Sequence, residues 1–464
     1  MSARIKLSAL AVLLTVAVVG GGSSQESGMG PFVASLLALP AIAWASHLLL
    51  RQGVSMPGWL WLALAVVLLA IPAVQLMHVP TGMATVAGRE ELAADLAAFG
   101  AEAPSRWSLA PAATGAALFA LLAPLGIFLL CMALPATLRP WVAGLVVLLA
   151  LASLVLGIVQ LGAPQESVLN PFPQWQPAMG GFFANPNHQA TLLVVAAVFA
   201  TSHAMGALQA ARQQPPARAG VTLGAVFMLP LSLVALPLTG SRAGVIILVL
   251  ACAAVVALQW PAVRWAVTGR VLLGLAVVAL AGSAWAAARW MQVDAVDELR
   301  APMREATAAI ASRFAPLGSG VGSYVPVFEQ AAPPRFLMGN YINHAHNEYL
   351  QWWLEAGAAA LLAMGLAVAA LGASALRIWR LPRHARGPGI AALVSLLAIG
   401  AHSFVDYPLR TPAMLAVAAV LAGMAAGQKR THVPSWGHES GHTRASTGGR
   451  SVDISPPPAP AAQG

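Results

Sequence analysis

Charged residues are scarce in this sequence: they make up 9% of its 464 positions, whereas 58% are hydrophobic. The surface of a soluble globular protein needs far more charge than this, so the composition excludes an ordinary soluble domain. A glycine-rich loop ending in Gly-Lys-Ser/Thr, the usual cradle for nucleotide phosphates, is also absent. The chemistry is therefore not expected to draw on ATP.

Three other features that are scarce or missing also bear on the class of the protein. Only two cysteines occur, Cys131 and Cys252, and both lie within apolar runs, so a disulfide between them is not expected and the redox compartment stays undetermined. Internal repeats, or matching halves such as many transporters show, are not found. Ionisable residues are nearly missing from the middle of the apolar runs, where an ion-coupled transporter usually needs them. The polar residues gather at one end instead, which favours an active site at one membrane face.

Long apolar runs are abundant. Runs of about 18 to 22 residues have the length at which a helix spans ~30 Å of hydrocarbon. They predict an all-α polytopic membrane protein with about 12 transmembrane helices. A signal peptide would also explain Arg4 and Lys6 before the first run, but the charge pattern favours a retained helix. The runs cover 5–21, 31–50, 58–76, 113–134, 141–161, 188–206, 220–238, 243–260, 271–288, 349–371, 388–405 and 412–427.

The charges between the runs predict how the helices are oriented. With the N-terminus in the cytoplasm, every short inner loop is basic and free of acidic residues, as the positive-inside rule requires. Of the 16 acidic residues, only Glu439 and Asp453 then fall on the inner side. The net charge of +9 is thus explained by topology and attraction to anionic membrane lipids, with no need for a nucleic-acid partner.

The apolar runs and the charge pattern together divide the chain into predicted regions. Residues 1–428 form an integral membrane domain, and 289–347 form its largest outer loop, which includes a helical pattern and a turn-rich segment. Residues 429–464 are rich in Ser, His, Gly and Pro and are expected to be a disordered cytoplasmic tail. The tail histidines could bind metal, although a solvated tail is the simpler interpretation.

Residues 339–357, GNYINHAHNEYLQWWLEAG, place polar and ionisable groups where an apolar run begins. Such groups are costly in a membrane and tend to mark function. Asn347 can simply cap a helix, and His346 can be an ordinary interfacial histidine. A helix that starts near Asn347 would place three polar side chains on one face: Glu348, Gln351 and Glu355. This concentration of polar groups favours a working site.

Three other polar segments fall on the same predicted face. LTGSRAG places Arg242 between two runs, where it either grips phosphate oxygens or is a snorkelling arginine. NPNHQAT begins the sixth run with Asn187 and His188, either as an anion site at a helix N-terminus or as a turn and cap. HSFVDYPLRTP holds Asp406 and Arg410, which are expected to pair with each other.

These segments resemble, in their order and distances, the O-antigen ligase-related superfamily. It includes O-antigen ligases, O-antigen-type polysaccharide polymerases and some bacterial O-linked oligosaccharyltransferases. FFANPNHQATLL is similar to the family's Asn-x-Asn-His/Gln segment, LTGSRAGV to its Ser-Arg-Gly/Ala turn, and HSFVDYPLRTPA to its final outer turn. HNEYLQWWLEAG fits the ligase pattern of His, then Asn, Ser or Gln, then nine residues and Gly, here His346, Asn347 and Gly357. The resemblance covers 182–413.

The resemblance implies a metal-independent, inverting, GT-C-like membrane glycosyltransferase without a cofactor. It would lie in the bacterial inner membrane, with its active site and a large loop between helices 9 and 10 facing the periplasm. Its donor would be a glycan on undecaprenyl diphosphate. His346 would be the general base, supported by Asn347 and Glu348. Arg242 would be the leading diphosphate ligand. The other candidates for holding the diphosphate and glycan are Asn187, His188 and Arg410, with Arg313 and Arg335 in the large loop as weaker ones.

Ligase and polymerase are not separated by these patterns. The His-Asn-nine-Gly spacing favours an O-antigen ligase that joins O-antigen to lipid A-core. The polymerase pattern, Arg followed after fifteen residues by Gly, is met by Arg304 and Gly320, but nine outer arginines make a chance match easy. An O-antigen or exopolysaccharide polymerase and an O-linked protein oligosaccharyltransferase therefore stay open. From another class, a lipid-linked glycan flippase is the competing hypothesis.

Overall fold

The computed structural model describes residues 3–24, 28–79, 89–100, 105–164, 166–172, 179–210, 231–259, 295–336 and 342–427. Over these ranges most of the backbone is helical, because aliphatic residues in long runs satisfy their backbone hydrogen bonds internally. Within these ranges the α-helices are numbered α1 (Ala3–Gly20), α2 (Met29–Gln52), α3 (Met56–Gln75), α4 (Glu90–Ala98), α5 (Pro111–Ala120), α6 (Leu122–Ala133), α7 (Arg139–Gln160), α8 (Pro186–Ala210), α9 (Arg242–Gln259), α10 (Ala295–Phe314), α11 (Tyr324–Ala331), α12 (Glu348–Ala356), α13 (Ala358–Trp379), α14 (Gly387–His402) and α15 (Pro412–Ala426).

Eight helical segments in the described ranges are long and apolar enough to cross a membrane. They correspond to α1, α2, α3, α5 with α6, α7 with the turn before it, α8, α9 and α13. Helices α14 and α15 are apolar as well but shorter. A polytopic all-α membrane protein is thereby confirmed. The total of about 12 helices stays a prediction, because run 271–288 lies outside the described residues and run 220–238 is described only from 231.

One predicted helix is wrong in its extent. The apolar run 349–371 is interrupted at Gly357, which separates α12 from α13 with a φ of +56°. The backbone of an outer turn lies so close that a Cβ on Gly357 would be 2.1 Å from the Pro316 carbonyl oxygen. That oxygen accepts the Ala358 N–H over 2.7 Å. Hydropathy does not reveal this break, since apolar side chains lie on both sides of it; the membrane-length helix begins only at Ala358.

Most buried apolar side chains form one large core within the helical bundle. Helix α8 lies at its centre, where the stretch from Leu192 to Val198 is almost completely buried. Helix α1 contributes Leu10 and Leu14 to the same core. In a bundle of this kind close side-chain packing holds the helices together, because lipid is as apolar as the residues it faces.

The predicted large loop contains folded structure with a core of its own. Helices α10 and α11 and a short turn at Pro334–Phe336 fall within 289–347. Their inward side chains pack together with Leu354 of α12. The buried residues of this core include Met303, Ile310, Phe314, Tyr324, Phe328 and Leu354. The turn after α10 is joined to α12 by Ser319 N–H to Leu354 and Gly320 N–H to Glu355, each 2.9 Å. The loop therefore fixes the position of α12.

A glycine turn after α1 brings two distant polar segments together. The carbonyl oxygen of Gly22 accepts the Ala184 N–H over 3.0 Å, just before α8, and that of Gly21 accepts the Ala413 N–H over 2.9 Å, in α15. A Cβ on Gly22 would lie 1.6 Å from the Phe182 carbonyl oxygen, so only glycine fits this approach. The NPNH segment and the last polar turn consequently lie at the same end of the bundle.

Candidate active site

His346 lies at the start of α12 in a backbone conformation that is unusual for a residue with a side chain. Its φ is +48°. In a non-glycine residue this left-handed conformation costs about 1–3 kcal/mol, and such residues cluster at functional sites. Asn347 caps α12, because its side-chain oxygen accepts the Leu350 N–H over 3.1 Å. The predicted helix start near Asn347 is confirmed, and the His346 side chain stays 15% exposed beside it.

Asp406 lies behind His346, in the turn between α14 and α15, and is buried. Its Oδ1 is 3.4 Å from His346 Nδ1. Asn185 Nδ2 donates to the two carboxylate oxygens at 3.2 and 3.4 Å, and the Tyr407 backbone N–H donates to Oδ1 over 2.9 Å. Burial alone would raise the pKa of Asp406, but its interactions with His346 and the neighbouring His188 lower it below its ordinary range. An ionised carboxylate thus faces one nitrogen of His346.

Tyr407 is surrounded by imidazole rings, although no pattern in the sequence predicts a role for it. Its ring centroid lies 4.1 Å from that of His344, 4.9 Å from His188 and 5.0 Å from His346. Its hydroxyl accepts a hydrogen bond from Asn343 Nδ2 over 3.3 Å. Burial, followed by the charge of Asp406, raises the pKa of Tyr407, so the hydroxyl stays protonated. Tyr407 packs the three histidines into one cluster.

Arg410 does not pair with Asp406, and that prediction is wrong. Its Nη1 contacts Glu355 Oε2 at 2.5 Å, because α12 brings Glu355 to the turn before α15, whereas Asp406 faces the histidines. The guanidinium also lies over the Trp352 ring, 5.6 Å from its centroid. Its Nε and Nη2 atoms are buried and have no hydrogen-bond partner among the described residues. Buried donors without partners are costly, so these two N–H groups suit an anionic ligand.

The three polar residues of α12 share one buried face, as predicted. Gln351 Nε2 donates to Glu355 Oε1 over 3.0 Å. One turn earlier, Glu348 accepts a short hydrogen bond from the Ser403 hydroxyl, and its backbone N–H donates to the Ser403 carbonyl over 2.9 Å. Burial raises the pKa of Glu348 to about 7, although the Ser403 hydrogen bond and the charge of Arg410 act to lower it. Glu348 is therefore a second titratable group beside His346.

The raised pKa of Glu348 predicts a pH-dependent stability. The folded protein keeps this proton up to about pH 7, whereas an unfolded chain releases it near the ordinary value of 4.5. The contribution of Glu348 to stability is therefore full at acidic pH and falls as the pH rises from 4.5 to about 7. Thermal unfolding of detergent-solubilised protein between pH 5 and pH 8 measures this, and Glu348→Gln is expected to flatten the profile. Glu329→Gln, at an exposed carboxyl of α11, is the matched control; equal slopes for both variants would contradict the assignment.

Arg242 begins α9, directly after Ser241, whose hydroxyl accepts the Gly244 N–H over 3.2 Å and so caps the helix. A Cβ on Gly244 would lie 2.9 Å from that of Ala190 in α8, so the first turns of the two helices pack side by side. Arg242 and His188 therefore lie at the same end of the bundle. The role of Arg242 in diphosphate binding stays a prediction.

The remaining candidates have different positions. Asn187 lies in the first turn of α8, where its backbone N–H donates to Asn185 Oδ1 over 2.9 Å and its carbonyl accepts from Thr191. Arg313 is exposed in the last turn of α10, and Arg335 lies in the short turn at Pro334–Phe336. Both positions belong to the folded loop.

Metal binding is not indicated by the geometry: within the described ranges, no group of three or more His, Cys, Asp and Glu side chains is arranged to hold an ion. The cluster does contain a base candidate with a carboxylate behind it, and an arginine with unused donors. Residues 226–365 match the family model described as O-antigen ligase. In this segment the chain is similar to the O-antigen ligases.

The match supports a glycosyl-transferring ligase or polymerase role in a membrane, with a lipid-linked glycan and a glycan acceptor as the general substrates. It lies within the region 182–413 and includes Arg242 and His346 but neither Asp406 nor Arg410. The cluster is thus completed by residues outside the matched segment. No curated protein shows a significant match to the chain.

Proposed function

We propose that the protein transfers a glycan from undecaprenyl diphosphate to an acceptor hydroxyl at the periplasmic face of the inner membrane. The reaction class proposed is metal-independent inverting transfer, and the specific activity proposed is that of an O-antigen ligase with lipid A-core as acceptor. The observation that carries this proposal is the partly exposed His346, with buried Asp406 at its Nδ1 and Arg410 in the same turn as Asp406. The family match supports a glycosyltransferase or ligase type of enzyme.

The proposed base chemistry follows from the two imidazole nitrogens of His346. Asp406 interacts with Nδ1, which orients the ring and stabilises the imidazolium that forms. Nε2 then takes the proton of the acceptor hydroxyl as its oxygen bonds to the anomeric carbon. The bond from that carbon to the phosphate oxygen breaks from the opposite face, and the electron pair leaves with undecaprenyl diphosphate. Histidine suits this step because its ordinary pKa is near neutral pH.

The leaving group requires positive charge, because the departing diphosphate gains negative charge as the glycosyl bond breaks. Fixed cations that face this charge lower the barrier. Arg410 offers two buried N–H groups with no partner among the described residues. Arg242, at the start of α9, is the second candidate, and its planar fork matches phosphate oxygens. Arg313 and Arg335 remain weaker candidates, since they lie in the folded loop.

A deletion strain tests the proposed acceptor. Its surface glycans are separated on a gel before and after complementation with the wild-type chain. If the protein is a ligase, its deletion is expected to leave lipid A-core without any long chains. Lipid-linked polymer should accumulate at the same time, because polymerisation continues and attachment stops. A single repeat unit left on the core would replace the ligase assignment by polymerase. Unchanged core glycans with altered exopolysaccharide or altered protein glycosylation would contradict the assignment of lipid A-core as the acceptor.

A further inference from the structure

A continuous series of contacts joins Arg410 to the segment that carries His346. Arg410 Nη1 contacts one carboxylate oxygen of Glu355 at 2.5 Å, and Gln351 Nε2 donates to the other over 3.0 Å. The Gln351 oxygen accepts the backbone N–H of Ala345 over 3.1 Å. Ala345 directly precedes His346. Four links thus connect a guanidinium to the backbone of the base candidate.

The amide of Gln351 has one orientation that satisfies all its partners. Its oxygen faces an N–H donor, so its nitrogen faces Glu355 and, at 3.1 Å, the Nδ1 atom of His344. Burial, then the charges of Arg410 and His346, lower the pKa of His344 well below its ordinary value, so this imidazole is neutral and its Nδ1 can accept. Gln351 is itself almost fully buried. A buried amide with every donor and acceptor used holds its neighbours in one arrangement.

Each end of this series has a feature that the contacts within the series do not explain. At one end, Arg410 keeps two buried N–H groups without a partner among the described residues. At the other end, His346 sits at a φ of +48°, a conformation that must be maintained by its surroundings. The Ala345 N–H to Gln351 bond restrains the chain immediately before that residue.

We infer that Gln351 is a positioning residue that couples occupation of Arg410 by the lipid diphosphate to the presentation of His346. This inference rests on the proposed function and deepens it. When the diphosphate binds the free N–H groups of Arg410, the guanidinium, Glu355 and the Gln351 amide are held together, and His346 is fixed for the acceptor. Transfer chemistry is thereby linked to the presence of a donor.

Two variants of Gln351 test the coupling in a reconstituted transfer assay. Gln351→Leu removes the hydrogen bonds of Gln351 to Glu355, Ala345 and His344, whereas Gln351→Glu keeps an acceptor for Ala345 and loses the donor to Glu355. Both are expected to lower kcat by about 10–100-fold, the size of effect that small misplacement of a reacting group produces, with the donor KM nearly unchanged. Gln259→Leu, at a buried glutamine of α9 at the helix end opposite Arg242, is the matched control and should keep wild-type kinetics.

Hydrogen exchange gives a readout that a merely structural role would not change. Undecaprenyl diphosphate is expected to slow exchange of the amides at 342–347 in the wild type and in Gln259→Leu. In the two Gln351 variants it should still bind but give no protection there. Wild-type kcat and wild-type protection in Gln351→Leu would overturn the coupling and leave the proposed function standing. Full transfer activity in His346→Ala would instead contradict the proposed function itself.

Discussion

Replacing His346 with alanine is expected to lower the rate of glycan transfer by about 10²–10⁴-fold, the contribution of a general base. The ring is partly exposed and its Nδ1 faces a buried carboxylate, so its removal leaves the acceptor hydroxyl without a proton acceptor. Transfer from a lipid-diphosphate donor is measured with purified protein in liposomes. His47→Ala, at an exposed histidine of α2, is the control at equal membrane levels.

Asp406→Asn separates the role of the carboxylate from that of the ring. The amide keeps the size of the side chain and an oxygen for Asn185, but it loses the charge that stabilises the imidazolium. Activity is expected to fall between wild type and His346→Ala. If His346→Ala already removes the base, Asp406→Asn added to it should cost little more, because the two act as a unit. Fully additive losses would show that Asp406 acts on something other than His346.

Gly357→Ala is expected to prevent stable folding of the site, with a loss above about 4 kcal/mol, the range reserved for severe backbone and packing defects. The added Cβ would meet the Pro316 carbonyl oxygen at 2.1 Å and the Gly318 nitrogen at 2.7 Å. It would also have to adopt a φ of +56° with a ψ of −137°, which non-glycine residues avoid. Membrane yield and thermal unfolding in detergent measure the effect.

Gly365→Ala is the matched control for this substitution. Gly365 lies inside α13, where, apart from the helix's own backbone, nothing in the described part of the chain is within 4 Å of an added Cβ. Alanine favours a helix interior over glycine by about 1 kcal/mol, so this variant should be as stable as the wild type or slightly more so. Similar behaviour of the two variants would show that the break between α12 and α13 tolerates a side chain.

The two family patterns in this chain both end on glycines that packing requires. Gly357 ends the ligase pattern, and its freedom from a Cβ lets the 316–318 turn approach. Gly320 ends the polymerase pattern; its φ is +114°, and a Cβ there would lie 2.4 Å from the Ser108 hydroxyl oxygen. Both glycines therefore report how the folded loop docks on its neighbours. Neither separates ligase from polymerase by its chemistry, and the gel of surface glycans has to decide.

Hydropathy predicts most of the fold, because a span needs only length and apolar composition. It predicts both ends of α2 and α3 to within two residues, but it misses the interruption at Gly357 and therefore misplaces both ends of α13. That break depends on a turn 40 positions earlier in the sequence, and no local pattern contains it. The core of the large loop is missed for the same reason, since Phe314, Phe328 and Leu354 come together only in the tertiary structure.

Several members of the candidate site, although not Tyr407, could be named from the sequence, but the contacts between them could not. Clustering of polar groups at helix ends identifies His346, His188 and Arg410 without knowing their partners. The pairing of Asp406 with Arg410 was expected because both charges lie in the last outer turn. The two side chains reach different partners instead, and those partners come from distant parts of the chain.

The separate core of the loop gives the protein two kinds of stability. Helix α10 carries several charged residues, and its inward side chains share a small core with those of α11. The hydrophobic effect stabilises this core as it does in water-soluble proteins. That part should unfold with a large heat-capacity change and respond to urea. The bundle is held by close packing in lipid and responds mainly to the detergent. Because α12 is fastened to the loop, mild urea is expected to stop transfer while the bundle remains intact.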